Sequence, residues 1–298
     1  MTEREICGVL PINKPAGMTS HDVVFKIRKL YGTKKVGHTG TLDPDATGLL
    51  IVLIGRAAKA AEYVTAGKKV YRAGLRLGLT TDTEDTTGKT LTTCDNIPKK
   101  PDVLEAIASF KGECLQIPPM YSALKVGGQK LCDLARKGIT IEREPRPITI
   151  YSISADGDGK DYAMEVACSA GTYIRTLCAD IGARLGCGGA MSSLFRTETG
   201  GFHISAAHTL AEIEEMSQEE RDALLIPTEE LFKELPEVKL PAFYERLAKN
   251  GAEIYQKKIG AHFPVGELLR VHGGDGFFGL GEVREYEDGS AIKIVKFL

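Results

Sequence analysis

Six consecutive aliphatic residues, Leu49-Leu50-Ile51-Val52-Leu53-Ile54, leave this chain few ways to fold. The run is far too short to span a bilayer as a helix, and it is rich in the branched side chains that suit a pleated strand. A strand apolar at every position, rather than at alternate ones, has to be covered on both faces. The sequence therefore needs a sheet with further layers packed against it. The 298 residues, 43% of them hydrophobic and 26% charged, are enough to supply those layers and exclude wholesale disorder.

Other segments fit that frame. Residues 8–17 read as a short strand and then a turn punctuated by proline and glycine. Ser20 is the expected N-cap of a helix in which Val23, Val24, Ile27 and Leu30 recur at helical spacing and Gly32 stops the chain. Residues 70–77 alternate, with Tyr71, Ala73, Leu75 and Leu77 on one face and Arg72 and Arg76 on the other. A short helix is expected over 102–110, closed by Gly112, a second strand over 162–168, and a helix opened by Gly171-Thr172 that turns Ile174, Leu177, Ile181 and Leu185 inward. Residues 212–237 are strongly acidic and read as a solvated helix and linker. From about 238 the texture becomes β-rich, with a hairpin over 268–283 around a glycine turn and a strand over 291–295.

The formal charge of -2 argues against a general nucleic-acid binder, but it conceals an asymmetry. Residues 1–150 carry 23 Lys and Arg against 16 Asp and Glu, and residues 151–298 carry 15 against 24. Such a split points to a local polyanion site in the first half. Candidate cations are Lys26, Arg28, Lys29, Lys34 and Lys35, and a basic arm at about 120–148. The 7 cysteines are odd in number and have no C-x-x-C spacing, so reduced thiols in a cytosol are expected rather than disulfides or a zinc ribbon. No signal peptide or membrane span is read.

Several motif matches fail on their chemistry. Gly88-Lys89-Thr90 resembles the end of a phosphate-binding loop, but Thr83 stands where the first glycine must be. Ser122-Ala123-Leu124-Lys125 lacks the partner motifs of a serine hydrolase. His38 with Asp43 does not define metal geometry, and no dinucleotide fingerprint follows a strand. Neither a metal site nor a nicotinamide cofactor is therefore indicated by these motifs.

The loop Gly37-His38-Thr39-Gly40-Thr41-Leu42-Asp43-Pro44-Asp45-Ala46-Thr47-Gly48 stands apart. It runs directly into the aliphatic strand, and Pro44 biases Asp43 towards an extended backbone. One carboxylate is thereby held at the mouth of a sheet. From spacing alone it is either a chemical group or an Asx-type cap on backbone amides.

This loop resembles the aspartate motif of the TruB family of tRNA pseudouridine synthases. So do Asn13-Lys14-Pro15-Ala16-Gly17-Met18-Thr19-Ser20, the Tyr71 strand, Arg76-Leu77-Gly78 with Thr81-Asp82-Thr83, Ile117-Pro118-Pro119-Met120-Tyr121-Ser122-Ala123-Leu124-Lys125, and Ser169-Ala170-Gly171-Thr172-Tyr173-Ile174-Arg175. The matches keep the family order across nearly the whole chain. The C-terminal segment resembles a PUA domain, a small RNA-binding barrel.

The resemblance implies an α+β fold, a mixed and largely antiparallel central sheet flanked by helices, with a catalytic domain over 1–237 and a PUA-like domain over 238–298. It implies isomerisation of the T-loop uridine at tRNA position 55 to pseudouridine without a cofactor. Asp43 would be the essential carboxylate, Arg175 its partner, and Tyr71 the residue against which the base stacks. Tyr173 and Leu194 would complete the uracil pocket and His38 would contact flipped T-loop nucleotides. Lys14, Lys34, Lys35, Arg136, Arg143 and Arg146 are candidates for phosphate contacts. The implied partner is tRNA, through its T-stem-loop and with the acceptor end a candidate for the PUA-like segment. The chain would act as a cytoplasmic monomer away from membranes. Asp45, where the family often has a hydrophobic or small residue, is expected to face solvent. Two other classes stay open at this point: a glycoside-type hydrolase using Asp43 with a second carboxylate, and a tRNA-binding or chaperone protein without catalysis.

Overall fold

A computed structural model describes residues 6–65 and 67–298. The large sheet runs in the order His208–Thr209, β1 (Gly8–Lys14), β3 (Thr47–Ile54), Gly189–Thr199, β4 (Lys69–Leu77), Asp161–Cys168, Arg146–Asp158 and Gly112–Gln116, with β2 (Val36–His38) also paired to β3. Two pairings are parallel, β1 with His208–Thr209 and β3 with Gly189–Thr199; the other pairings of this sheet are antiparallel. This is the expected α+β fold with a mixed, largely antiparallel sheet.

The aliphatic run is the inner strand β3, and its six side chains are fully buried. Alternation divides them between two cores. Leu50, Val52 and Ile54 pack with Val23, Val24 and Ile27 of the helix α1 (Ser20–Tyr31). Leu49, Ile51 and Leu53 face the other way, with Val9, Phe232, Leu280 and Leu298. Each such side chain removed from water contributes about 1.5–3 kcal/mol, which explains why no polar residue interrupts the run. A third cluster joins Tyr71, Leu75 and Leu77 of β4 to Leu177 and Ile181 of the Ile174–Arg184 helix and to Val103 and Ile107 of the Lys100–Ala108 helix.

Local details differ from expectation. The N-cap of α1 is Thr19, whose side chain accepts from the Asp22 amide while Asp22 reaches back to Thr19. Ser20 is buried and used elsewhere. The helix expected over 102–110 spans Lys100–Ala108, because Pro101 suits a first turn. Gly112 instead begins the edge strand Gly112–Gln116, whose antiparallel partner is Arg146–Asp158. The basic arm is thus an excursion between two paired strands, with a short hairpin, Lys125–Val126 with Gln129–Lys130, and the helix Leu131–Ala135. The acidic stretch forms two short helices, Leu210–Glu215 and Gln218–Ala223, each opened by a capping box.

A separate five-stranded sheet is built from Glu237–Lys239, Leu268–Gly273, Gly276–Tyr286, Gly289–Phe297 and Ile254–Tyr255. Among the described residues no helix is long and apolar enough to cross a membrane.

Candidate active site

The loop before β3 is held from three directions. The Ser20 hydroxyl accepts the Leu42 amide at 2.9 Å and donates to the Leu42 carbonyl at 3.2 Å. Lys14, fully buried, donates to the carbonyls of Pro15, Met18 and Pro44 at 2.9, 2.6 and 3.0 Å. Arg196, 1% exposed, donates from Nε to the Leu49 carbonyl at 2.8 Å and from Nη2 to the Gly40 carbonyl at 3.1 Å. The arginine thereby ties both ends of the loop to the neighbouring strand. Gly48 sits where that strand crosses, at φ +98°, and a Cβ there would lie 2.4 Å from the Arg196 carbonyl oxygen. Only glycine allows that approach.

Held this way, Asp43 projects its carboxylate towards Arg175 rather than onto an amide of its own loop. Arg175 Nε lies 3.1 Å from Asp43 Oδ2. The arginine, 7% exposed, is in the first turn of the Ile174–Arg184 helix. Its other nitrogens are held in turn: Nη1 donates to the Thr83 carbonyl at 3.1 Å and faces Asp85 Oδ2 at 3.7 Å, and Nη2 donates to the Tyr121 carbonyl at 2.7 Å. A planar fork with several fixed acceptors aims in one direction only.

Although 45% of the Asp43 side chain meets solvent, the surrounding protein desolvates the carboxylate enough to raise its pKa above the usual range. Arg175 and Lys14 oppose that rise, and Asp85 and Asp45 add to it. Asp45 itself is exposed.

The floor beside Asp43 is apolar. Tyr71, 7% exposed, shares a core with Leu42, Ala46 and the partly buried Leu194. Leu194 stands opposite Ala73, and Tyr71 opposite Arg196, across the pairing of β4 with Gly189–Thr199. Burial raises the Tyr71 phenol above its ordinary value, with Arg196 opposing. The Tyr173 backbone is clamped on both sides by the Gln116 amide, which accepts its N–H at 2.8 Å and donates to its carbonyl at 3.0 Å.

The remaining expected residues are placed more variously. His38 accepts the Gly40 amide at 3.3 Å and meets His21 edge-on, ring centres 6.3 Å apart. Burial lowers its pKa, helped by His21 and Arg196. Lys34 and Lys35 are exposed after α1, as are Arg136, paired with Asp133 at 3.6 Å, and Arg146. Arg143 turns back to donate to the Pro118 carbonyl at 3.1 Å.

Lys14 corrects the expectation of a phosphate contact: its ammonium is buried under the loop with all three protons used. Lys14→Met should therefore cost about 2–4 kcal/mol, because three carbonyls lose the one buried donor that they share. A denaturant titration checks this, and an unchanged midpoint would contradict it.

Sequence reasoning missed Arg196, Asp85, Gln116 and the true work of Ser20. Asp85 had a signal, since it lies two residues after the family-like Thr81-Asp82-Thr83. Arg196 had none, being one arginine in a mixed strand. Among the described residues one cluster has metal-ligand types, Glu229, Glu237 and His272, and Arg270 already occupies it, 2.6 Å from Glu229.

Residues 28–174 match the TruB family pseudouridylate synthase (N terminal domain), and residues 175–233 match the tRNA pseudouridylate synthase B C-terminal domain. The chain is 46% identical over 291 residues to the tRNA pseudouridine synthase B of Clostridium kluyveri, covering 97% of this chain and 98% of that one. It is 44% identical over 295 residues to that of Alkaliphilus oremlandii, covering 98% of each. Among solved structures it resembles a chain of a Cbf5-Nop10-Gar1 complex, with TM-score 0.74, 26% identity, and coverage of 97% of this chain and 84% of that one.

Proposed function

This chain belongs to the TruB family of pseudouridylate synthases, and we propose on that premise that it isomerises uridine 55 in the T-loop of tRNA, with Asp43 as the essential carboxylate. Isomerisation of a tRNA uridine rests on the family and on relatives that carry the activity in their names. The assignment to Asp43 is supported above all by one observation: its carboxylate, at the rim of an apolar floor, faces the buried and fully engaged guanidinium of Arg175 at 3.1 Å.

The chemistry asks for this arrangement. The N1–C1′ bond breaks, the uracil turns, C5 joins C1′, and the C5 proton is lost. A glycosidic bond that breaks with oxocarbenium character needs an anion beside it. Arg175 keeps that anion ionised and aimed. The floor of Tyr71 and Leu194 offers a surface on which a flipped uracil can stack and turn without leaving. Extruding the base costs a few kcal/mol of unstacking, offset by stacking and phosphate contacts. We assign those contacts to the exposed cations Lys34, Lys35, Arg136 and Arg146, with His38 at the loop nucleotides and Tyr173 closing the pocket. The five-stranded C-terminal sheet, as a PUA-like domain from 238, is assigned to the rest of the tRNA.

The test is a T-stem-loop RNA tritiated at uracil C5. Release of tritium to water, with the chain intact and pseudouridine found on digestion, is the expected result. Binding without release would overturn the reading.

The same assignment sets a pH dependence. Asp43 has to be ionised, and its pKa is raised, chiefly by desolvation. The single-turnover rate should therefore rise with pH along a limb whose midpoint lies above 3.8, the ordinary aspartate value. A limb at or below that value would contradict the assignment.

A further inference from the structure

Among the described residues Glu84 is the only one other than glycine with a positive φ, 64°. A glutamate is rarely held there unless its surroundings insist on it. Its neighbours in sequence are the two groups of the 81–88 loop that meet Arg175: the Thr83 carbonyl before it and the Asp85 carboxylate after it. The left-handed turn at Glu84 lets both face the guanidinium. It also sends the Glu84 side chain to Thr176, whose buried hydroxyl donates to Glu84 Oε2 at 2.5 Å. Thr176 is the residue after Arg175 in the same helical turn.

We propose that Glu84 is a positioning residue for the isomerisation: by gripping Thr176 it docks the 81–88 loop on the helix so that Thr83 and Asp85 hold the Arg175 guanidinium towards Asp43. The loop's other ties lead elsewhere. The Glu84 carbonyl accepts the Met191 amide at 3.0 Å, and the Thr86 amide donates to the Met191 carbonyl at 2.9 Å, which anchors the loop to the sheet. Asp85 Oδ1 takes the Thr83 and Thr87 hydroxyls and the Thr87 amide, which leaves Oδ2 for Arg175. The grip on Thr176 joins loop and helix next to the arginine itself. Burial holds the Glu84 carboxyl above the usual range, with Thr176 opposing, as befits a side chain folded inward.

This inference rests on Asp43 being the essential group, so Asp43→Asn is carried as a control; full activity in that variant would overturn the parent reading alone. The test is a set of single-turnover rates and tRNA dissociation constants for Glu84→Ala, Glu84→Gly, Glu84→Gln, Thr176→Val and the Glu84→Ala/Thr176→Val pair. Glu84→Ala and Thr176→Val should each slow the step roughly tenfold, as displaced catalytic groups do, with Kd within about twofold of wild type. The pair should be no slower than either alone, since both remove one hydrogen bond. Glu84→Gln keeps an acceptor for Thr176 and should restore most of the rate. Glu84→Gly suits the backbone but loses the grip, and should stay slow. An unchanged rate in Glu84→Ala, full rate in Glu84→Gly, multiplying losses in the pair, or a defect confined to Kd would each overturn the proposal.

Discussion

Asp43→Asn is expected to lower the single-turnover rate of pseudouridine formation by at least about 10³-fold while the protein stays folded and bound to RNA. The amide keeps the shape of the side chain and an oxygen for Arg175 Nε, so the pair seen at 3.1 Å survives as a weaker hydrogen bond from the guanidinium to a neutral acceptor. Desolvation already works against the ionised carboxylate, so removing its charge should change stability by less than about 1 kcal/mol. Affinity for a T-stem-loop should stay within about 1–2 kcal/mol, because phosphate contacts carry most of it. Tritium release, a thermal melt and an RNA titration on one preparation check all three. A variant that melts far below the wild type would mean that Asp43 holds the loop together rather than serving the substrate.

Arg175→Met should behave differently on the stability axis. The arginine is 7% exposed and its guanidinium is shared among Asp43, Asp85 and the carbonyls of Thr83 and Tyr121. Removing it leaves two carboxylates and two carbonyls facing an apolar side chain. Breaking a buried pair from one side costs about 3–5 kcal/mol; with 45% of the Asp43 side chain and 19% of the Asp85 side chain exposed, about 3 kcal/mol is the expected loss in a urea titration. Activity should fall with it, since Asp43 is then neither aimed nor favoured as an anion. An enzyme of wild-type stability would show that the guanidinium is solvated in solution. One of wild-type rate would remove Arg175 from the mechanism.

The residues whose placement could be read from the chain share a property. Asp43 stands beside a proline that restricts it, Tyr71 lies in a strictly alternating strand, and Leu49 to Ile54 lack any polar interruption. Each carries its information in its immediate neighbours. Ser20 misled because a serine before a helix has two good uses. Thr19 already satisfied the cap together with Asp22, which freed the serine hydroxyl for Leu42. Lys14 misled because a lysine near a basic surface reads as solvated, whereas three carbonyls converge on it from parts of the chain up to 30 residues apart. The excess of cations in the first half is smaller on the surface than in the sequence. Of the cations in the first half, Lys14 and Arg143 are committed to carbonyls of the protein, and Lys34, Lys35, Arg136 and Arg146 remain exposed.

By itself, then, the sequence determined that a doubly covered strand runs out of an aspartate loop, and which family's motifs surround it, because periodicity and turn chemistry act between near neighbours. The family's motifs also named Arg175 as the partner of Asp43; only the tertiary structure decided what holds that arginine, and the aspartate loop, in place. Arg175 meets Asp43, Thr83, Asp85 and Tyr121, and Arg196 meets Gly40 and Leu49, across separations of up to 156 residues. A buried guanidinium is stable only where several distant acceptors converge, and no local pattern in a single chain encodes that convergence.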